Sequence, residues 1–260
     1  MIKKTASVAS TLILLWFLCV DVRAGGIVDE GIEQRYTVGA HPSVSVRNID
    51  GRILIYGSTD GEITLKAYKR AFTKERLSRI QVNVAVSGDS MTIDTGYQPP
   101  AKGLLADRSG TVEYTLLVPQ NCVIKAELSQ GEILLEGLRG PSIEARLTSG
   151  RINMESCFSP AAVTLGVGGI DVVYNWWEEM PLSMSFDVGK GDVSLLLPSA
   201  AALRLDAATR SGHVRNHLLG ETGAEDVQQM TTDIRGGSGA TFTIRAEEGN
   251  IKIDKAYRPQ

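Results

Sequence analysis

A register of apolar residues anchored on recurring glycines constrains this chain more than any other feature. Between Cys122 and Tyr174 it occurs three times in succession, as VIKAELSQGEILLEG, SIEARLTSGRINMES and AAVTLGVGGIDVVYN, centred on Gly131, Gly150 and Gly168. Ile124, Ile143 and Ala161 stand seven residues before the glycine, with Ala126, Ala145 and Val163 at five and Leu128, Leu147 and Leu165 at three. Ile133, Ile152 and Ile170 follow it by two residues, and Leu135, Met154 and Val172 by four. Period-two alternation on each side is a strand signature. The alternation changes phase at the glycine, so the chain turns there while one face stays inward. Glycine suits such a corner because it takes φ > 0 without steric cost.

Four further copies keep the register. Gly51 has Val44, Val46, Ile53 and Ile55, with Asn48 in place of the leucine. Gly191 has Met184, Phe186, Val188, Val193 and Leu195; Gly212 has Leu205, Ala207, Thr209, Val214 and Asn216. Gly249 has Phe242, Ile244, Ala246, Ile251 and Ile253. Repeats of about 20 residues are the length of one solenoid coil, and stacking them lets each copy bury a face that it cannot bury alone. The expected fold is therefore all-β, a parallel β-solenoid or β-helix. The run of copies is interrupted between Gly51 and Gly131. There IQVNVAVS and MTIDT flank Gly88-Asp89-Ser90 as an antiparallel hairpin insertion. YQPPAKGLLADRSG is loop, TVEYTLLV a strand ended by Pro119, and the charged run Lys66 to Arg79 a solvated face with a helical turn or long loop.

The first 24 residues read as an export signal. Lys3 and Lys4 precede an apolar run ending in LILLWFLCV, and Val22-Arg23-Ala24 places small residues where a signal peptidase reads them. The run falls short of the ~20 residues that span a bilayer, so no membrane span is expected after cleavage. Residues 25–39 form a lead-in segment or edge strand, and 40–257 a single domain. Losing Lys3, Lys4, Arg23 and Asp21 takes the formal net charge from −3 to −5, which argues against nucleic acid as a partner. The expected location is periplasm, cell surface or medium. Cys122 and Cys157 survive processing, in a compartment that permits a disulfide between them or leaves them as buried thiols.

The pattern resembles the putative-adhesin family of bacterial envelope proteins, a domain of unknown function related to autotransporter adhesin heads. HPSVSVRNIDGRILIYGSTDGEITLKAYKRA, VEYTLLVPQNCVIKAELSQGEI, the copies around Gly150 and Gly168, and TFTIRAEEGNIKI carry the resemblance, over roughly 40–256. It implies a β-helical domain outside the cytoplasm, adhesin-like, with no catalytic residues and no cofactor.

Candidate chemistry is sparse. His213 and His217 have helical metal spacing, but in a strand register they stand about 13 Å apart. Asp171, Asp187 and Asp192 are the residues that calcium binding, or a polysaccharide-active enzyme using paired carboxylates, would require. Trp176-Trp177, followed by Glu178 and Glu179, is the leading interaction candidate. In an extended segment two adjacent rings cannot both point inward; the pair either covers an end or side of the solenoid core or, with one ring exposed, forms a recognition surface. The expected function is a non-enzymatic solenoid presenting loops to protein, glycan or envelope components.

Overall fold

A computed structural model describes residues 27–98, 109–218, 227–237 and 239–256; the expected signal segment, most of the expected 99–110 loop and 219–226 lie outside these. Among the described residues the chain is all-β apart from one short helix. Its strands are β1 (Val28–Thr37), β2 (Ser43–Ser58), β3 (Glu62–Ala71), β4 (Ile80–Ser87), β5 (Ser90–Tyr97), β6 (Thr111–Pro119), β7 (Val123–Glu136) and β8 (Ile143–Glu155). They continue as β9 (Ala161–Val173), β10 (Leu182–Leu197), β11 (Leu203–Ser211), β12 (Val214–Asn216), β13 (Gln229–Ile234), β14 (Ala240–Glu248) and β15 (Ile251–Lys255). Helix α1 (Lys74–Ser78) is capped by the Thr73 side chain, which accepts from Arg76 N.

β2, β7, β8, β9 and β10 are long parallel strands bent at their glycines and stacked in one open sheet. The bend divides the stack into a half-sheet before the glycines and one after them. Gly51, Gly131, Gly150, Gly168 and Gly191 pair with one another in register. The predicted inward positions of all seven copies are buried, including the polar Asn48, Thr209 and Asn216. Outward positions carry ladders of ion pairs such as Arg47–Glu127 at 3.0 Å and Arg151–Asp171 at 2.8 Å.

Two constraints fix the corner residue. The seven glycines have φ between 123° and 145°, a region essentially confined to glycine. A Cβ on any of them would also lie 1.6–2.1 Å from a backbone oxygen of the adjacent layer. The ladder closes at each end with a polar side chain in the leucine position. Asn48 Nδ2 donates to Val112 O at 2.8 Å, the carbonyl facing Gly51. Thr209 Oγ1 donates to Gly249 O at 2.8 Å, the carbonyl facing Gly212.

Three features depart from the expected chain-order stack. The last copy lies between the two before it: β14 and β15 pair with β10 on one side and with β11 and β12 on the other. β5 and β6 form an eighth layer, pairing with the two halves of β2. Its corner is interrupted by the 98–110 segment and bridged by Thr95 Oγ1 and Tyr114 OH at 2.7 Å. The sheet is also mixed at its edges, since β1, β3, β4 and β13 pair antiparallel. Charge composition misled for Lys66 to Arg79, because two of its cations are buried. Lys69 pairs with Glu30 at 3.0 Å. Arg76 donates to Gln98 O at 2.9 Å and Ser109 O at 2.7 Å, clasping both ends of the interrupted corner, and stands 5.5 Å from the Tyr97 ring centre.

Candidate functional site

The links between long strands close the third side of the stack, and they continue the register. The eighth residue after three successive glycines is Arg139, Phe158 and Trp176, and these side chains stack in that order. The Arg139 guanidinium lies 5.0 Å from the Phe158 ring centre, and Phe158 lies 5.9 Å from Trp176 with the planes 34° apart. The column needs no local propensity; it follows from equal link geometry on stacked layers, shown by Gly137 N donating to Glu155 O at 3.0 Å and Ser156 N to Val173 O at 2.8 Å.

The two tryptophans divide as an extended chain requires. Trp177 turns toward the core, 5.5 Å from Tyr174 and 6.2 Å from Phe242, while Trp176 is 42 % exposed. Trp176 Nε1 donates to Glu178 Oε1 at 3.0 Å, and Arg139 donates to both Glu178 oxygens at 2.8 and 2.6 Å. A bidentate guanidinium–carboxylate pair is among the stronger surface contacts. The Arg139 hydrogen bond, followed by that from Trp176, lowers the Glu178 carboxyl to about 2. The result is an aromatic surface fixed in orientation by a neutralised ion pair. Glu179 is exposed beside it. Beneath, Tyr174 OH donates to Cys157 O at 2.5 Å, while Trp177 Nε1, Ser156 Oγ and Ser159 Oγ are buried without a protein partner.

Of the other candidates, only Asp171 and Asp192 come together. Asp171 and Asp192 line a shallow groove of about 520 Å³ over the bare corner at Gly150, Gly168 and Gly169. Asp171 is paired with Arg151, and Asp192 accepts from Asn250 N at 2.7 Å. Asp187 lies on the other half-sheet, beside a groove of about 580 Å³ with Arg245 and Glu247. Backbone His213 N donates to Asn250 Oδ1, whereas His217 Nδ1 lies 2.6 Å from Asp254 Oδ1. Among the described residues no group of three or more His, Cys, Asp or Glu is placed to hold a metal. Cys122 and Cys157 are free buried thiols rather than a disulfide. One precedes β7 and the other follows β8, and Cys157 Sγ is directed at Leu135 O. Burial pushes both thiols up to about 12.

The family model described as Toastrack DUF4097 matches residues 43–254. No curated protein matches the chain. Among solved structures, a putative cell adhesion protein from Clostridium sporogenes is similar at 16 % identity and TM-score 0.52, over 87 % of this chain and 100 % of that one. A putative adhesin from Bacteroides fragilis aligns at 14 % identity over 87 % of this chain and 97 % of that one, with a TM-score of 0.32. The first likeness concerns fold; the second carries no argument.

Proposed function

The chain belongs to the Toastrack DUF4097 family, and from that premise we propose that it is an exported, non-enzymatic, adhesin-like β-solenoid presenting its tryptophan loop to a protein, glycan or other envelope component. The observation that carries this reading is the Trp176 ring, exposed yet fixed by Glu178 and Arg139. An aromatic held in one orientation loses little freedom on binding, which favours its use as a recognition anchor. The description of the Clostridium sporogenes neighbour as a putative cell adhesion protein points the same way. Asp171 and Asp192 share a groove, but Asp171 is paired with Arg151 and Asp192 accepts from Asn250 N, which weighs against the polysaccharide-active alternative, where two free carboxylates flank one scissile bond.

The test compares wild type with Trp176→Ala and Arg139→Ala for binding to immobilised glycans and to envelope fractions. Trp176→Ala should weaken the principal interaction at least about tenfold, with Arg139→Ala intermediate. Equal binding by correctly folded Trp176→Ala removes the tryptophan loop from the function.

A further inference from the structure

On the outer face of the half-sheet after the glycines, the residues five beyond the corner form a row unlike the rows beside it. Direct pairing runs Leu117–Tyr56, Tyr56–Glu136, Glu136–Glu155, Glu155–Val173 and Val173–Leu196. Across β6, β2, β7, β8, β9 and β10 the row is thus two apolar residues, two carboxylates and two apolar residues. Leu54 and Leu134, paired with each other on β2 and β7, widen its first end. Leu117 is 39 % exposed, Glu136 is exposed and the others are half-buried. Polar residues bound the row: Thr64 beside Leu117, and beside Leu196 Asp254, which Lys252 and His217 already engage.

Charge in the neighbouring rows is satisfied within the chain. Arg52 reaches Glu132 at 3.4 Å and Glu113 at 3.9 Å, Asn153 donates to Glu132 at 2.8 Å, and Arg151 donates to Asp171 at 2.8 Å. Among the described residues no cation pairs with Glu136 or Glu155, although the two stand directly opposite each other. Like charges so placed repel. Burial, followed by the carboxylates of Glu136 and Glu155, raises the Tyr56 hydroxyl. The middle of the row is therefore uncompensated negative charge between two apolar ends, an arrangement that cations from outside the chain would relieve.

The geometry points to a docking row for a cationic amphipathic helix of another polypeptide, laid across the strands with basic side chains over Glu136 and Glu155 and apolar ones over the two ends. Its spacing suits a helix. Layers lie about 4.8 Å apart and a helix advances about 5.4 Å per turn, so each turn sets one side chain over one strand. The row spans about 24 Å, which about 18 helical residues cover. An extended chain fits poorly, because its same-face side chains recur about every 6.8 Å. A second copy is also disfavoured. Row against row sets carboxylates on carboxylates, and a slide of two layers sets them on the apolar ends. An anionic lipid surface is repelled by the same pair. The row lies on the sheet face and the tryptophan loop on the link side, so the two readings stand separately.

The probe is the capped peptide LAQLAQARAQRAQALAQL, whose leucines and arginines follow the required order along one helical face. The control RAQLAQALAQLAQALAQR has the same composition with its arginines at the ends. In titrations at low salt the first should bind saturably and at least about tenfold more tightly than the second. Its helicity by circular dichroism should rise on binding, because a free helix of this length is marginal. Replacing both carboxylates, Glu136→Gln with Glu155→Gln, should weaken binding at least about tenfold with a Tm no lower than wild type, and Trp176→Ala should leave binding unchanged. The docking row is refuted if the two peptides bind alike or if the folded double variant binds as wild type does. It is equally refuted if Trp176→Ala abolishes binding, or if the protein alone self-associates and Leu117→Lys disperses it.

Discussion

Gly150 and Gly88 separate the two reasons for which a residue must be glycine. Gly150 has φ 138°, and an added Cβ would lie 1.8 Å from Gly131 O; Gly88 has φ 57° with nothing within 4 Å. Gly150→Ala should cost at least about 3 kcal/mol, and Gly88→Ala only about 1–2 kcal/mol, measured by urea unfolding. Glu178 gives a pH signature. Its carboxyl is lowered from 4.5 to about 2, so its stabilising effect is complete above the unfolded value and is lost as pH falls through the folded one. The wild-type advantage over Glu178→Gln should be flat from pH 7 to about 5 and vanish between about 4.5 and 2. Solvent screening keeps it below about 1 kcal/mol. The two cysteines should resist a thiol reagent until the protein unfolds, because burial keeps both protonated.

Individual elements were legible in the sequence to the degree that burial is one-sided. Ile152 could be assigned inward from alternation alone, and it is fully buried in β8. Ile152→Asp leaves an unpaired carboxylate in the central ladder and should abolish cooperative thermal unfolding; a Tm near wild type would contradict the packing. What alternation cannot carry is neighbour choice. The seven copies present similar inward faces, so nothing within one copy says that β14 pairs with β11 as well as β10. The β5–β6 layer does not show in the glycine register, because Val112 stands opposite Gly51 and Gly110 (φ 141°) lies two residues earlier. The tryptophan pair was legible as a local oddity, but Arg139 and Phe158 were not. Their signal lies at the eighth position after Gly131 and Gly150, in the links beyond the alternating strand pattern. The burial of Lys69 and Arg76 could not be read from composition, since both lie within a run of cations.

At the scale of the whole molecule, stability is shared between adjacent layers rather than gathered in one centre. β14 and β15 are the layer through which β11 and β12 join β10. Deleting residues 240–256 should therefore release β11, β12 and β13 while leaving β7 to β9 protected, as hydrogen exchange resolved by segment would show. Loss of protection throughout the stack would mean that the layers unfold as one unit.

The permuted final layer also sets a schedule. A chain that emerges amino-terminus first exposes β11 and β12 before the strands that seat them exist, and β2 waits through the whole hairpin region for β7. Assembly in space thus runs out of step with arrival in time at both ends of the stack. The last seventeen described residues act as the closing piece, and until they arrive the apolar face formed by Val193, Leu195 and Phe186 remains open to whatever holds unfinished chains.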